Sequence, residues 1–183
     1  MGSGRSATRR TIRGRSGGGR RMSFRVEDYQ DPAVIQAALR ERRVAVVGLS
    51  SNVLRPSHFV GYYLQRHGYE VVPVNPRERE ILGHTSYPSL ADVSGPAGSI
   101  GVVDVFREPA AVPAIAREAV AIGARYLWLQ FGVISPEGVR IAEAGGLRVI
   151  VDRCMKIEHA RWLGRMHVLG FNTGVISARR RRP

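Results

Sequence analysis

The sequence predicts an α/β fold in which a mainly parallel sheet is covered by helices on both faces. The first observation is that short apolar runs alternate with longer amphipathic segments from residue 43 onward. The second is that these runs are nearly continuous in Val, Ile and Leu, as strands buried on both faces require. The third is that Pro and Gly mark the ends of the amphipathic segments. Strands alternating with helices imply right-handed crossovers and hence parallel strands.

Five strands and five helices follow from these patterns. The strands are predicted at 43–49, 69–75, 100–106, 125–131 and 147–152. A leading helix over 26–41 has Asp31 as its cap and Pro32 at its first helical position. The other helices are predicted at 56–68, 108–123, 135–145 and 154–164, and "YPSLADV" (87–93) fills the crossover between the second and third strands. This arrangement is a Rossmann-like, doubly wound, mainly five-stranded parallel sheet.

The net charge of +13 resides almost entirely in the two ends of the 183-residue chain. Eight arginines lie in residues 1–25 and four in 179–182, which leaves 16 Lys and Arg against 15 Asp and Glu in between. We predict a disordered basic tail over 1–23, one domain over 24–170 and a basic tail over 171–183. The N-terminal stretch fits a solvated tail or sequence ahead of a start at Met22. It also fits an arginine-rich arm for nucleic acid, and it resembles a transit peptide without clear amphipathic periodicity.

Several classes of protein are disfavoured by what the sequence lacks. It has no apolar run of ~18 residues and no secretory signal, so a membrane-spanning or exported protein is not expected. Cys154 is the single cysteine, which excludes an internal disulfide framework and a cysteine-based metal cluster. The five histidines show no HExxH spacing. We therefore predict a cytoplasmic protein without a metal site.

The segment "VAVVGLSSNVLRPSHF" (44–59) indicates a phosphate-binding loop after the first strand. Gly48 allows a tight turn, and the loop leads into the start of a helix near Pro56, where backbone amides and the helix dipole favour anions. The further glycines typical of dinucleotide-binding loops are absent. Three polar side chains supply hydrogen-bonding groups in their place: Ser50, Ser51 and Asn52. A capped loop without a ligand is the alternative.

The loop after the second strand narrows the choice of ligand. Domains that bind NAD usually carry Asp or Glu here to hold the ribose hydroxyls. This chain has "VNPRERE", with Asn75, Pro76 and Arg77 at that point. A cation there suits a ligand with a further phosphate on its ribose, which means NADP or coenzyme A. The alternative is an ordinary Asn-Pro turn with Arg77 and Arg79 in solvent.

Six motifs in order make the sequence resemble the small CoA-binding proteins. They are "VAVVGLSSNVLRPS", "GYEVVPVNPRE", "ILGHTSYPSL", "VDVFREP", "GARYLWLQFGV" and "AGGLRVIVDRCMKIEH". This family is similar to the CoA-binding domain of the succinyl-CoA synthetase α subunit and of the ADP-forming acyl-CoA synthetases. The resemblance covers roughly residues 24–163 and implies coenzyme A bound across the strand ends. Leu49 stands where a smaller residue is common, and the long basic N-terminus is not part of the family pattern.

The resemblance also implies contacts for each part of coenzyme A. Gly48, Ser50, Ser51, Asn52 and Ser57 would face the pyrophosphate. The adenosine and its 3′-phosphate would lie against Val74, Asn75, Pro76 and Arg77. Phe106 and Arg107 would line the middle of the site, and Gln130 and Gly132 would lie near the pantetheine arm.

The synthetase relatives use a phosphorylated histidine carried by a further domain, which we do not expect in this chain. The leading hypothesis is a protein that is not an enzyme and binds coenzyme A or a short acyl-CoA noncovalently, as a carrier, sensor or regulatory partner. Two alternatives stay open: an NADP-dependent oxidoreductase, and a nucleic-acid-binding protein that uses its arginine-rich tails. The sequence gives no prediction of oligomeric state.

Cys154 is a candidate reactive thiol. It follows a predicted strand and begins a predicted helix, with Arg153 and Lys156 beside it, a setting that lowers a thiol pKa. A mixed disulfide with coenzyme A would then be feasible if the pantetheine end reached it. The alternative is a small buried residue at the corner between strand and helix.

Overall fold

A computed structural model describes residues 24–93, 95–96 and 98–164, and their fold is a five-stranded parallel sheet with a small hairpin beside it. The tails 1–23 and 171–183 and the last predicted domain residues, 165–170, lie outside the described residues. The strands are β1 Arg43–Val47, β2 Glu70–Val74, β3 Glu80–Ile81, β4 His84–Thr85, β5 Val102–Val105, β6 Tyr126–Leu129 and β7 Arg148–Ile150. The sheet order is β2-β1-β5-β6-β7, with β3 and β4 forming the hairpin.

The prediction of five parallel strands is confirmed, and each strand is two or three residues shorter than its predicted segment. The sheet is covered on both faces, as predicted, by α1 Pro32–Leu39, α2 Pro56–Arg66, α3 Val112–Ala121, α4 Pro136–Ala144 and α5 Met155–Trp162. Alternate strand residues serve the two faces: Val103 joins the core under α3 and α4, and Val102 the core under α1, α2 and α5. In the described part of the chain, every helix is too short or too polar to cross a membrane.

Two predicted helices are divided by proline. The segment 26–41 forms a 3-10 turn, Val26–Tyr29, and then α1. Asp31 is extended because a proline disfavours the α conformation in the residue that precedes it. The Asp31 side chain caps α1 by accepting a hydrogen bond from the Ala33 amide at 2.8 Å. The cap at Asp31 and the helix start at Pro32 are thus confirmed. The segment 108–123 likewise opens with a 3-10 turn, Pro109–Ala111, before α3.

The β3–β4 hairpin is an element that the sequence did not predict. Its turn residues, Leu82 and Gly83, both have positive φ (56° and 77°), as the two central residues of a type I′ hairpin turn do. After the hairpin, Tyr87 runs along the outer edge of β2, donating its amide to the Pro73 carbonyl at 3.0 Å. Pro73 donates no amide hydrogen, which is tolerated because β2 is an edge strand of the main sheet.

A buried carboxylate anchors α5 to the rest of the domain. Glu158 is 1% exposed and lies 3.4 Å from Arg153 Nη1 and 3.3 Å from Arg161 Nη1. It also accepts a hydrogen bond from Trp162 Nε1 at 3.0 Å. Arg153 extends the network by donating to Gln30 Oε1 at 2.7 Å. The network therefore connects α5, the end of β7 and the segment before α1.

His159, the residue after Glu158 in α5, is surrounded by aromatic rings. Its Nδ1 lies 3.0 Å from the Tyr63 hydroxyl, and its ring is 5.1 Å from that of His67. Burial lowers the pKa of His159 from 6.5 to about 4, with smaller contributions from the charges of His67 and Arg42. The imidazole is therefore neutral in the folded protein at neutral pH.

We expect His159 to contribute a loss of stability as the pH falls from 6.5 to about 4, because the unfolded chain then binds a proton that the buried imidazole of the folded protein does not bind. The loss attributable to this residue is on the order of 2 kcal/mol. Urea unfolding at several pH values, compared between the wild type and His159→Asn, measures it. The asparagine keeps an acceptor for Tyr63 but does not titrate. Parallel pH profiles for the two proteins would refute the assignment.

Candidate functional site

The strand order reverses between β1 and β5, since β2 lies on one side of β1 and β5 on the other. In open parallel sheets, ligands bind at this point, outside the carboxyl ends of the strands. A cavity of about 530 Å³ lies there, between the loops that follow β1, β2 and β5. Seven of the residues predicted from the sequence line it: Gly48, Ser50, Ser57, Asn75, Arg77, Phe106 and Arg107. Arg55 lines it as well, and we call it the arginine cavity after its three arginines, Arg55, Arg77 and Arg107.

A second cavity of about 200 Å³ adjoins the first, and the two share Gly48 and Arg107. It contains the remaining two residues predicted for the adenosine end, Val74 and Pro76. Its other lining side chains are mainly apolar: Val47, Pro88, Ala111, Ala114 and Ile115, with Ser89 and Glu118. We call it the apolar cavity. A charged compartment thus opens beside one that suits a flat apolar group.

Gly48 lets the loops after β1 and β5 approach each other. Its φ of 88° lies in the region that side-chain-bearing residues rarely adopt. A Cβ atom on Gly48 would lie 3.0 Å from Arg107 Cδ and 3.2 Å from the Phe106 carbonyl oxygen. The Gly48 amide donates to the Val74 carbonyl at 2.8 Å, and the Phe106 amide to the Val47 carbonyl at 2.9 Å. These bonds hold the three strand ends together around Arg107.

Ser51 and Asn52 line neither cavity, and the amides of this loop are bonded to other groups of the chain. The Ser51 amide donates to the Glu78 carboxylate at 3.0 Å. The Asn52 amide donates to Ser50 Oγ at 3.2 Å, and the Leu54 amide to Asn52 Oδ1 at 2.9 Å. The loop amides on which the sequence-based hypothesis seats a diphosphate therefore bond within the chain.

The start of α2 and three guanidinium groups supply donors at the arginine cavity. Arg55 is the N-cap of α2 but makes no side-chain capping bond, and Pro56 occupies the first helical position. Arg55, Arg77 and Arg107 supply positive charge. Glu78 and Glu108 offset part of it, with Glu108 Oε1 3.5 Å from Arg107 Nη2. The pKa of Glu108 is lowered, first by its own backbone amide and then by its hydrogen bond with Arg107.

Gln130 and Gly132, the two residues predicted for the pantetheine arm, also line neither cavity. Gln130 is 4% exposed and donates from Nε2 to Asp104 Oδ1 at 2.7 Å. The Gly132 amide donates to Asp152 Oδ1 at 2.8 Å. Both residues follow β6, which is one strand further from the point of reversal than β5. Their contact with a pantetheine arm stays a prediction.

The predicted lowering of the Cys154 pKa is wrong. Cys154 precedes α5 as expected, but it is only 9% exposed, and burial raises the pKa of its thiol. The Lys156 charge and two backbone amides lower this pKa by less than burial raises it. Arg153, which was expected to help, directs its guanidinium to Glu158 and Gln30 instead. The setting is that of a packed residue at a corner.

Asp104 is a buried carboxyl group that the sequence did not single out as unusual. It is completely buried in β5, and desolvation raises its pKa to about 7. Within the described residues its Oδ2 has no hydrogen-bond partner, which is consistent with desolvation favouring the protonated form. The described part of the chain also contains no group of three side chains able to hold a metal ion.

Known proteins resemble this chain in sequence, and solved structures resemble it in fold. The chain is 40% identical over 121 residues to the uncharacterized protein YneT of Bacillus subtilis (strain 168), covering 66% of this chain and 87% of that protein. A solved structure of a hypothetical protein from Pyrococcus horikoshii OT3 is 36% identical, with a TM-score of 0.72 over 78% of this chain and 99% of that chain.

A more distant solved structure shares the fold alone. It is the dinucleotide forming acetyl-coenzyme A synthetase 1 of Ca. Korarchaeum cryptofilum in complex with phosphate and ADP. Its TM-score is 0.54 at 23% identity, over 63% of this chain and 26% of that chain. The family model described as "CoA binding domain" matches residues 42–160, which include all the strands and both cavities. On this match, the chain belongs to the CoA-binding domain family.

Proposed function

We propose that this protein binds coenzyme A, or a short acyl-CoA, noncovalently at the carboxyl ends of β1, β2 and β5. The observation that carries the proposal is the pair of adjoining cavities that share Arg107. The adenosine end of coenzyme A has a flat base, a diphosphate and a phosphate on the ribose. An apolar compartment next to three guanidinium groups matches that combination, since guanidinium groups bind phosphates through paired, charge-assisted hydrogen bonds.

Each compartment can be assigned a part of the ligand. Arg55, Arg107 and the uncapped start of α2 would hold the diphosphate, and Arg77 after β2 would hold the ribose phosphate. The base would lie in the apolar cavity between Val74, Pro76 and Ile115. A volume of about 530 Å³ for the larger cavity falls within the usual range of ligand pockets, roughly 300–1,000 Å³.

We extend the proposal to a role without catalysis, as a carrier, sensor or regulatory partner in the cytoplasm. Two serines line the arginine cavity, Ser50 and Ser57, and neither hydroxyl is bonded to a histidine in the described residues. His58 lies nearby, but its Nδ1 contacts the Ser50 carbonyl oxygen at 2.9 Å rather than the hydroxyl. This arrangement supports binding more than nucleophilic chemistry, which needs a base within reach of the nucleophile.

Calorimetric titration of the full chain tests the proposal. We expect coenzyme A to bind more tightly than dephospho-coenzyme A by roughly 10- to 100-fold, because the missing phosphate leaves Arg77 without its charged partner. NADPH should bind more weakly than coenzyme A. Arg77→Ala should remove most of the preference for the 3′-phosphate, and Arg79→Ala, which changes a neighbour outside both cavities, should keep it.

The alternatives predict other titration results. Binding of NADPH with negligible affinity for coenzyme A would favour the NADP-dependent oxidoreductase. The ribose phosphate of NADPH would also suit Arg77. A steeply salt-dependent affinity for DNA, lost when residues 1–21 and 179–183 are deleted, would favour the nucleic-acid-binding protein. An equal affinity for coenzyme A and dephospho-coenzyme A would remove the role given to Arg77.

A further inference from the structure

The arginine cavity is lined in part by a carboxylate of the protein that is bonded to the loop after β1. Glu78 lies four residues past β2, and its Oε2 and Oε1 accept from the Ser51 amide at 3.0 and 3.3 Å. Oε1 also accepts from Asn75 Nδ2 at 3.1 Å. Glu78 lines the arginine cavity together with Arg55, Arg77 and Arg107. It is thus an anion placed among cations, bonded to an amide of the loop after β1.

A phosphate group bound to the same loop would need the same donor. Loop amides that precede a helix favour anions, and one amide hydrogen cannot make a full bond to two anionic oxygens at once. A phosphate and the Glu78 carboxylate at this place would also repel each other in a partly desolvated cavity. The Ser51 amide, which does not line the cavity in this structure, therefore becomes available to a phosphate only after Glu78 leaves it.

The surrounding turn allows that movement. Asn75 Nδ2 donates to the Leu49 carbonyl at 2.8 Å, and Asn75 Oδ1 accepts from the Arg77 amide at 2.9 Å. The Asn75 amide is in turn bonded to the Tyr87 carbonyl at 2.9 Å. These bonds fix the turn after β2 without using the Glu78 side chain. The carboxylate can consequently rotate away while Arg77 and Asn75 keep their backbone positions.

We propose that Glu78 is an internal competitor of the ligand's phosphates, an autoinhibitory contact that lowers the affinity of the arginine cavity for every phosphate compound. The inference rests on the proposed function, because it concerns the same cavity. The consequence is that the arginine cavity selects ligands by the number of phosphate groups that they carry. A ligand with one phosphate gains too little to displace the carboxylate, whereas one with a diphosphate and a ribose phosphate also engages the remaining arginines.

Glu78→Gln tests the inference with little change of shape. Glutamine keeps an oxygen that can accept from the Ser51 amide but loses the negative charge. We expect the dissociation constants for coenzyme A, adenosine 3′,5′-bisphosphate and inorganic pyrophosphate each to fall about 5- to 30-fold, the difference between a charged and a neutral competitor. The control is Glu80→Gln, which removes the same charge from an exposed residue of β3 outside the cavity.

The outcomes separate this inference from the proposed function. If the wild type binds coenzyme A and the two variants titrate alike, the inference fails and the proposed function stands. If the wild type does not bind coenzyme A, but Glu78→Gln binds pyrophosphate more tightly than Glu80→Gln does, the proposed function fails and the inference stands. Weaker binding by Glu78→Gln, with an unchanged melting temperature, would show that Glu78 organises the site and would overturn the inference.

Discussion

Glu158→Gln is expected to lower the free energy of unfolding by about 3–5 kcal/mol, the cost of removing one partner from a buried ion pair. The carboxylate is 1% exposed and lies between the guanidinium groups of Arg153 and Arg161, whose side chains are 14% and 8% exposed. A neutral amide in its place would leave two buried cations close together. The bond from Trp162 Nε1 would survive only if the amide oxygen faced the ring.

Urea unfolding of the wild type and the variant measures this effect. The matched control is Glu143→Gln on α4, an exposed carboxylate whose described hydrogen bond is a 3.5 Å contact from the Tyr29 hydroxyl. We expect the control to change stability by less than about 0.5 kcal/mol. If both variants lost the same amount, Glu158 would contribute no more than a surface residue, and the anchoring of α5 would need another explanation.

Arg107→Ala is expected to weaken binding of coenzyme A by about 100-fold. Arg107 is the charged residue that lines both cavities, so its guanidinium can contact a phosphate while its aliphatic stem borders the apolar cavity. One charge-assisted hydrogen bond contributes about 1.5–3 kcal/mol, and a paired contact reaches the upper end. The 3.5 Å ion pair with exposed Glu108 is weak and offsets little of this loss.

Calorimetry on three variants separates charge from geometry. Arg107→Lys keeps the charge but not the planar fork, and we expect it to recover part of the affinity. Arg117→Ala removes an arginine from the exposed face of α3, outside both cavities, and should bind as the wild type does. Equal affinities for Arg107→Ala and Arg117→Ala would show that the phosphates bind elsewhere.

The architecture could be predicted because its signals are local. Buried parallel strands need continuous apolar runs, and the segments around β1, β2, β5, β6 and β7 have them. The β3–β4 hairpin could not be predicted, because strands of two residues carry no periodicity and a leucine such as Leu82 is unusual at positive φ. The neighbours of each strand in the sheet were also not predicted, because order depends on packing between distant segments.

The residues of the candidate site were likewise predicted only in part. Gly48, Arg77 and Arg107 were predicted because each lies within three residues of the end of a strand, and strand ends meet at one edge of a parallel sheet. Glu78 and Arg55 were missed, since charged residues in an exposed loop resemble solvated surface. For Cys154, the charged sequence neighbours suggested a lowered pKa, whereas burial raises it, in agreement with the alternative of a small buried residue at the corner.

Because β5 joins the sheet on the side of β1 away from β2, the growing chain can complete its site only after β5 has been synthesised. The loops after β1 and β2 and the hairpin that follows them precede Phe106 and Arg107 in the chain, so they leave the ribosome first. Until β5 docks, one edge of β1 is available to other polypeptides. The two cavities that share Arg107 therefore form only once β5 has docked beside β1.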